Sequence, residues 1–336
     1  MTKKPKAIAL YSGGLDSILA IKLIMDQGVK MIGIRFQTPF IPLKKKCELD
    51  QNLKIPIVYK DMTADFMKRL IEPRYGYGKN MNPCIDCRLL MFQKAAQLMK
   101  EEGADFIVTG EVLGQRPMTQ NKKCLLQIEE ESGYGGLIVR PLSALLLPIT
   151  QPERSGIIDR SKLMDIQGRS RKRQMALAVK WGIEHYPAPA GGCKLTEPGF
   201  SRRMKDLLEK GKFTQNDIEL LKVGRHFSID KMIKLVVGRN ELENNSINVL
   251  ANINDFILRS DSHRGPISLI RFYEDVDSQR RDSIINLAAK ITARYCDKEN
   301  PDDPVSIIVW QLGQEIIWKN SVAAFKDKEI SCYRFL

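Results

Sequence analysis

Ser12-Gly13-Gly14-Leu15-Asp16-Ser17 lies between an uninterrupted apolar run, Ala7 to Tyr11, and an amphipathic run, Ile18 to Gln27. The apolar run has the length and texture of a parallel strand buried on both faces. The run behind the loop carries Ile18, Leu19, Ile21, Leu23, Ile24 and Met25, a broad helical stripe that Gly28 can stop. Gly13 and Gly14 lack a β-carbon, so backbone N–H groups can approach a ligand closely, and the free N–H groups of the new helix point at the same spot. The stretch therefore predicts a phosphate cradle between a first strand and a first helix. It is not a Walker loop: no Gly-x-x-x-x-Gly-Lys-[Ser/Thr] string occurs, and Gly78-Lys79 runs into Asn80.

Around this loop, 336 residues with 43% hydrophobic content suffice for a substantial core and two domains. The N-terminal lysines precede an apolar run of only about five residues, too short for a signal peptide core. Leu142 to Ile149 falls far below the roughly 20 residues of a membrane span. The expectation is a cytoplasmic protein with no membrane partner. Seven cysteines, odd in number and irregularly spaced, argue against a disulfide framework and for thiol or metal chemistry. A formal charge of +13 suits a polyanionic partner such as nucleic acid, although charge alone is equally satisfied by solubility.

Val29 to Phe36 and Ile55 to Tyr59 read as second and third strands, which makes the sheet parallel and the fold α/β. Ligands of such sheets lie beyond the carboxyl ends of the strands, where the Ser12 loop falls. A helix over residues 61–71 leads into an aromatic, glycine-rich loop that delivers Cys84-Ile85-Asp86-Cys87 at or just before the start of a helix from Leu89 to Glu102. There the positive helix end is expected to lower thiol pKa. The Cys-x-x-Cys pair alone fits a redox pair, half a zinc site or two ligands of an iron–sulfur cluster. A fourth strand, Phe106 to Thr109, enters a loop with Gly110, Gln115 and Arg116, whose glycine permits close backbone approach and whose polar side chains can hold a phosphate or a base. Leu137 to Arg140 adds a fifth strand. Basic residues then cluster: Arg169, Arg171, Lys172 and Arg173 open a helix, and Arg202 and Arg203 sit on another. Between them, prolines and glycines present Cys193 on a loop.

From about residue 223 the texture becomes mixed α+β. His226 to Ile229, Met232 to Val237, Ile267 to Phe272 and Val305 to Leu312 read as strands, with helices over Glu241 to Arg259 and Ser278 to Tyr295. Domains are expected at 1–210 and 223–336.

Ser-Gly-Gly-x-Asp-Ser after a first strand resembles the PP-loop of the ATP pyrophosphatases, which implies cleavage of ATP between its α and β phosphates. With Pro-Cys-x-x-Cys downstream of the third strand and a Gly-Gly-Cys loop, the first 210 residues resemble the tRNA thiolation branch, the 4-thiouridine and 2-thiouridine synthetases. The second domain is similar to the NFACT-R type of RNA-binding module through Lys234 to Asn240, Asn244 and Ser262 to Pro266; a structural accessory domain is the competing reading.

These resemblances imply that a uridine carbonyl oxygen attacks the α-phosphate of ATP, and that a sulfur nucleophile then displaces AMP. Ser12, Gly13, Gly14, Asp16, Ser17, Thr109 and Gly110 are the expected ATP site, with Asp16 positioning Mg²⁺. Cys84, Cys87 and Cys193 would carry sulfur chemistry. They do so as three ligands of a [4Fe–4S] cluster with one open iron, or through a persulfide at Cys193 or on a partner; zinc or purely structural thiols remain the third reading. Arg116, Arg169, Arg171, Lys172, Arg173, Arg202, Arg203, Arg239 and Arg264 are the expected RNA contacts. The partners implied are tRNA and a sulfur donor, either sulfide or a cysteine desulfurase, and a homodimer is left open. Competing functions are activation of a small-molecule carbonyl, RNA binding regulated by ATP without thiolation, and sulfur transfer to a small molecule.

Overall fold

Ala7, Ile8, Ala9 and Leu10 are all buried, an environment that the centre of a sheet covered on both faces supplies. In the computed structural model, which describes residues 4–41, 52–186 and 192–335, they form β1 (Lys6–Leu10). Cys47 and residues 187–191, part of the proline- and glycine-rich loop, lie outside the described residues. The chain divides into two units, Met1–Thr196 and Glu197–Leu336.

In the first unit β1 is followed by α1 (Leu15–Met25), β2 (Lys30–Gln37), β3 (Ile57–Asp61), α2 (Thr63–Ile71), α3 (Cys84–Glu101), β4 (Phe106–Thr109), α4 (Lys122–Glu131), β5 (Ile138–Val139), α5 (Gln151–Arg154) and α6 (Lys172–Lys180). The five strands are all parallel and ordered β3-β2-β1-β4-β5. Succession runs outward from β1 through β2 to β3 and resumes on its other side with β4, so the strand order reverses between β1 and β4. That is where an open α/β sheet leaves a crevice at its carboxyl edge. α1 anchors the arrangement: Leu15, Ile18, Leu19, Ile21 and Ile24 are each at most 1% exposed, and each such burial is worth about 2 kcal/mol.

The second unit contains α7 (Pro198–Glu209), α8 (Gln215–Leu220), β6 (Arg225–Asp230), β7 (Ile233–Val237), α9 (Glu241–Leu250), β8 (Phe256–Ser260), β9 (Ser268–Phe272), α10 (Ser278–Ala293), β10 (Val305–Trp310), β11 (Ile316–Val322) and α11 (Asp327–Ile330). Its six strands are antiparallel in the order β11-β10-β8-β9-β7-β6. One face packs on α10 around Leu235, Leu258, Ile270 and Val309, while Leu220 and Ile247 cover Val236 and Leu269 on the other. The basic helix read as the end of the first domain, α7, is counted with this unit.

Two element readings are corrected. The helix expected over Glu241 to Arg259 stops at Leu250, because Asn252 and Asp255 close a turn in which the Asn252 N–H donates to Asp255 Oδ2 at 2.7 Å; Phe256 to Ser260 is a strand. α3 begins at Cys84, so Cys84 and Cys87 occupy its first turn rather than the loop before it.

Candidate active site

Gly13 adopts a φ of +72°, which L side chains rarely take, and Gly14 caps α1 with extended backbone and no side-chain cap bond. The serines brace this turn. Ser12 Oγ accepts from the Gly14 N–H at 3.2 Å, and Ser17 donates its hydroxyl proton to the Gly14 carbonyl at 2.7 Å. The N–H groups of Leu15 and Asp16, at the tip of α1, take no hydrogen-bond partner among the described residues. They are available to an anion.

Gly110, immediately after β4, meets the cradle backbone to backbone. A Cβ placed on it would fall 2.6 Å from the carbonyl carbon and oxygen of Asp16 and from the nitrogen of Ser17, so only glycine fits. The same loop supplies Gln115, whose Nε2 donates to Asp16 Oδ2 at 3.2 Å. Asp16 Oδ1 is buried without a partner. An orphaned carboxylate oxygen at a phosphate cradle fits a divalent cation. Thr109 is buried at the end of β4, its backbone in register with Leu10.

The thiols assemble beside this loop. Asn82 Nδ2 donates to Cys84 Sγ at 3.1 Å. Asp86 is fully buried and accepts from the N–H groups of Arg74 and Tyr75, which pins the aromatic loop to the first turn of α3. Cys193 is held from two sides: the Lys194 N–H donates to the Phe40 carbonyl at 2.9 Å, and Asn80 Nδ2 donates to the Thr196 carbonyl at 2.8 Å. Burial pushes the Cys87 thiol up to about 12, Arg88 opposes, and Cys193 and Cys84 add to the rise, so both other sulfurs lie within electrostatic reach of Cys87. This corrects the expectation of a lowered pKa at Cys87, because desolvation outweighs the helix end. Such a thiol keeps its proton at neutral pH unless a cation replaces it. Among the described residues no group of three or more cysteine, histidine or acidic side chains is arranged to hold a metal ion.

One loop joins cradle and thiols. Arg116 lies within electrostatic reach of Cys84, Asp16 and Glu111. Glu111, which sequence reasoning left without a role, is 2% exposed and pairs with Arg88 at 3.2 Å and Arg140 at 3.1 Å. It thereby ties α3, one residue past Cys87, to the loop after β4. A carboxylate directly behind Gly110, with an arginine directly behind the Cys-x-x-Cys pair, was the available signal.

The remaining basic residues fall into two kinds. Gly168 donates its N–H to the Leu113 carbonyl at 2.7 Å, so the segment of Arg169 to Arg173 begins at the loop after β4. Arg169 and Lys172 are exposed, Arg171 Nε is buried without a partner, and Arg173 pairs with Asp165 at 2.6 Å. In the second unit Arg202 and Arg264 are exposed. Arg203 donates to the Leu221 carbonyl at 3.1 Å and Arg239 to the Gly224 carbonyl at 2.6 Å, so both serve the unit's own structure. The motif residues there also do structural work. Asn240 caps α9, and Asn244 Oδ1 accepts the Ile267 N–H at 3.0 Å in space that any side chain on Gly238 would fill.

Residues 2–145 match the family model of the thiamine biosynthesis protein (ThiI), and residues 224–334 match that of the NFACT protein RNA binding domain. The tRNA-specific 2-thiouridylase MnmA of Magnetococcus marinus is 27% identical over 146 residues, covering 38% of this chain and 41% of that protein. The probable tRNA sulfurtransferase of Thermococcus kodakarensis is 31% identical over 119 residues, covering 33% of this chain and 30% of its own. A structure of a 4-thiouridine synthetase–RNA complex with bound ATP aligns over 53% of this chain and 52% of its own, with 18% identity and a TM-score of 0.33. The chain spans less than half the length of these curated relatives. Its first part thus resembles PP-loop tRNA sulfurtransferases and its second part NFACT RNA-binding modules, as the motifs at Ser12 and Lys234 imply.

Proposed function

We propose that the chain is an ATP-dependent tRNA sulfurtransferase that replaces a uridine carbonyl oxygen with sulfur. The observation that carries this reading is the loop after β4. It touches the phosphate cradle through Gly110, reaches Asp16 through Gln115, and brings Arg116 within range of both Asp16 and Cys84. A nucleotide-activating site and a set of thiols sharing one loop suit a reaction that adenylates a carbonyl and then delivers sulfur to the same carbon.

The uridine oxygen forms a bond to the α-phosphorus of ATP while the bond to the β-phosphate oxygen breaks and pyrophosphate leaves. N–H groups at Leu15 and Asp16 stabilise the developing phosphate charge, and Asp16 would hold a Mg²⁺ that offsets it. A sulfur nucleophile then forms a bond to the activated carbon, and AMP departs with the former carbonyl oxygen. Three thiols without histidine are the soft donor type that iron takes, although among the described residues they are not arranged around a metal position. A [4Fe–4S] cluster on Cys84, Cys87 and Cys193 would supply an open iron able to bind sulfide. The residues themselves hold the sulfur carrier: Asn82 orients Cys84, Asn80 and Phe40 fix the Cys193 loop, and Glu111 sets α3 against the cradle. Arg169 and Lys172, exposed cations at the start of α6 where a helix disfavours positive charge, support contact with RNA phosphates. A role in the cytoplasm follows from this substrate; among the described residues no helix is long and apolar enough to cross a membrane.

The test is nucleoside mass spectrometry of unmodified tRNA incubated anaerobically with reconstituted protein, ATP, Mg²⁺ and sulfide. An ATP-dependent thiouridine is the expected product. Bound tRNA and an intact cluster without thiouridine would overturn the reading and favour a small-molecule carbonyl.

A further inference from the structure

The cradle lacks a cation of its own. From Tyr11 to Ser17 the only formally charged side chain is Asp16, which is negative, yet the proposed substrate brings a polyphosphate into this loop. The partner oxygens must be neutralised from outside it. On the Asp16 side stand Gln115 and Arg116, in the direction of Cys84. On the Gly13 side stands Arg35, which no motif singled out.

Arg35 is near the carboxyl end of β2, opposite Tyr59 on β3 and one residue beyond Ile34, which is in register with Leu10 at the end of β1. Its guanidinium reaches the cradle. Arg35 Nη1 and the Tyr11 hydroxyl each lie 3.5 Å from the point where a side chain on Gly13 would begin. The side chain is half-buried, and among the described residues its guanidinium has no hydrogen bond and no ion pair. Gly33, two residues earlier on the same face of β2, lets Tyr11 and Ile57 pack against the strand. A partly desolvated charge without a counter-charge is unfavourable in the fold alone and becomes favourable when a ligand supplies the anion.

We infer that Arg35 is a polyphosphate-binding residue that grips the β and γ phosphates of ATP and receives the departing pyrophosphate. The assignment rests on reading the Ser12–Ser17 loop as a phosphate cradle. The α-phosphate must face the thiols, because the carbon bonded to it through oxygen is the one that receives sulfur. The Asp16 end of the loop faces that way, which leaves the Gly13 end, and Arg35 with it, to the leaving group. A planar guanidinium suits two phosphate oxygens at once, and it gains strength as charge collects on the leaving pyrophosphate.

Titration calorimetry with α,β-methylene-ATP and separately with AMP, on the full chain and its Arg35→Gln and Arg35→Lys variants, tests the assignment. Loss of a charged hydrogen-bonding group predicts that R35Q binds the triphosphate analogue about 10- to 100-fold more weakly while AMP affinity is unchanged. R35K, which keeps a cation, recovers part of the loss, and it keeps the test informative should R35Q fold poorly. Equal analogue affinity in wild type and R35Q, or an equal loss for AMP, overturns the role of Arg35 and leaves the cradle standing. No analogue binding by the wild-type chain overturns the cradle and the role of Arg35 together.

Discussion

Replacing Gly110 with alanine should damage catalysis more than stability. The new methyl carbon would stand 2.6 Å from three backbone atoms of Asp16 and Ser17, whereas non-bonded carbon contacts settle at about 3.5–4.0 Å. The two loops must therefore part by about 1 Å. The cradle cannot retreat, since Leu15, Ile18 and Leu19 around it are fully buried in the core. Nor can Gly110 move freely, because Thr109 before it is held in register with Leu10. Overpacking of this size costs about 1–3 kcal/mol, which in a domain of this length lowers the melting temperature by roughly 2–12 °C. A 1 Å displacement of reacting groups is worth about 100-fold in rate. Gly135→Ala is the control: its position has an ordinary φ and nothing within 4 Å of an added Cβ. Pyrophosphate release with tRNA, nucleotide affinity and thermal melting are measured on both variants. Wild-type turnover and nucleotide affinity in G110A would refute the claim that the loops after β1 and β4 form one site.

Three further outcomes are expected. Cys84→Ala or Cys193→Ala should abolish sulfur insertion and leave nucleotide affinity within about twofold, because neither thiol lies on the cradle; undiminished thiolation by either variant would remove the three-cysteine site. Asp206→Asn should destabilise the second unit by about 3–5 kcal/mol, because Asp206 pairs with two buried ammonium groups, Lys234 at 2.9 Å and Lys210 at 3.2 Å. Burial already lowers Lys234 to about 8, so part of that loss should return by pH 9, where Lys234 is neutral; a pH-independent loss would contradict the charge argument. His226 is held neutral when folded, first by burial and then by Lys234 and Arg203, while its unfolded value is 6.5. The unfolded chain therefore binds the extra proton, and stability should fall below pH 6.5 by up to about 1.4 kcal/mol per pH unit. Urea unfolding followed by the fluorescence of Trp310 and Trp318 measures this, and an identical pH slope in His226→Gln would refute it.

What was legible in the sequence was local. The strand, the glycines and the helix around Ser12 are contiguous, so their conformational demands can be read directly, and the parallel sheet follows from repeating that unit. The spacing of Cys84 and Cys87 was equally visible, but their setting was not: whether a first-turn thiol is acidified or desolvated depends on Cys193, more than a hundred residues away. Ion pairing was hidden for the same reason. Glu111 and Arg35 are single charges in apolar surroundings, and only the sheet order shows that one meets Arg88 and that the other meets no acid among the described residues. Arg203 stands out by its basic helix and Arg239 by the resemblance at Lys234 to Asn240, and neither signal reveals that the two guanidinium groups bond to backbone carbonyls. The helix drawn through Arg259 missed the turn at Asn252 to Asp255, where one side-chain and one backbone hydrogen bond outweigh apolar periodicity.

Cys84 and Cys87 come from the middle of the first unit and Cys193 from its end, and this sets an order of events during synthesis. Cys84 and Cys87 leave the ribosome well before Cys193, by an interval on the order of ten seconds at ordinary elongation rates. Until Lys194 can bond to Phe40 and Asn80 to Thr196, the early pair stands without its companion. A nascent chain in that interval presents two neighbouring thiols to whatever oxidant or metal is at hand. On the proposed reading, the three thiols come together only after the segment around Cys193 has joined strands that end at Val139.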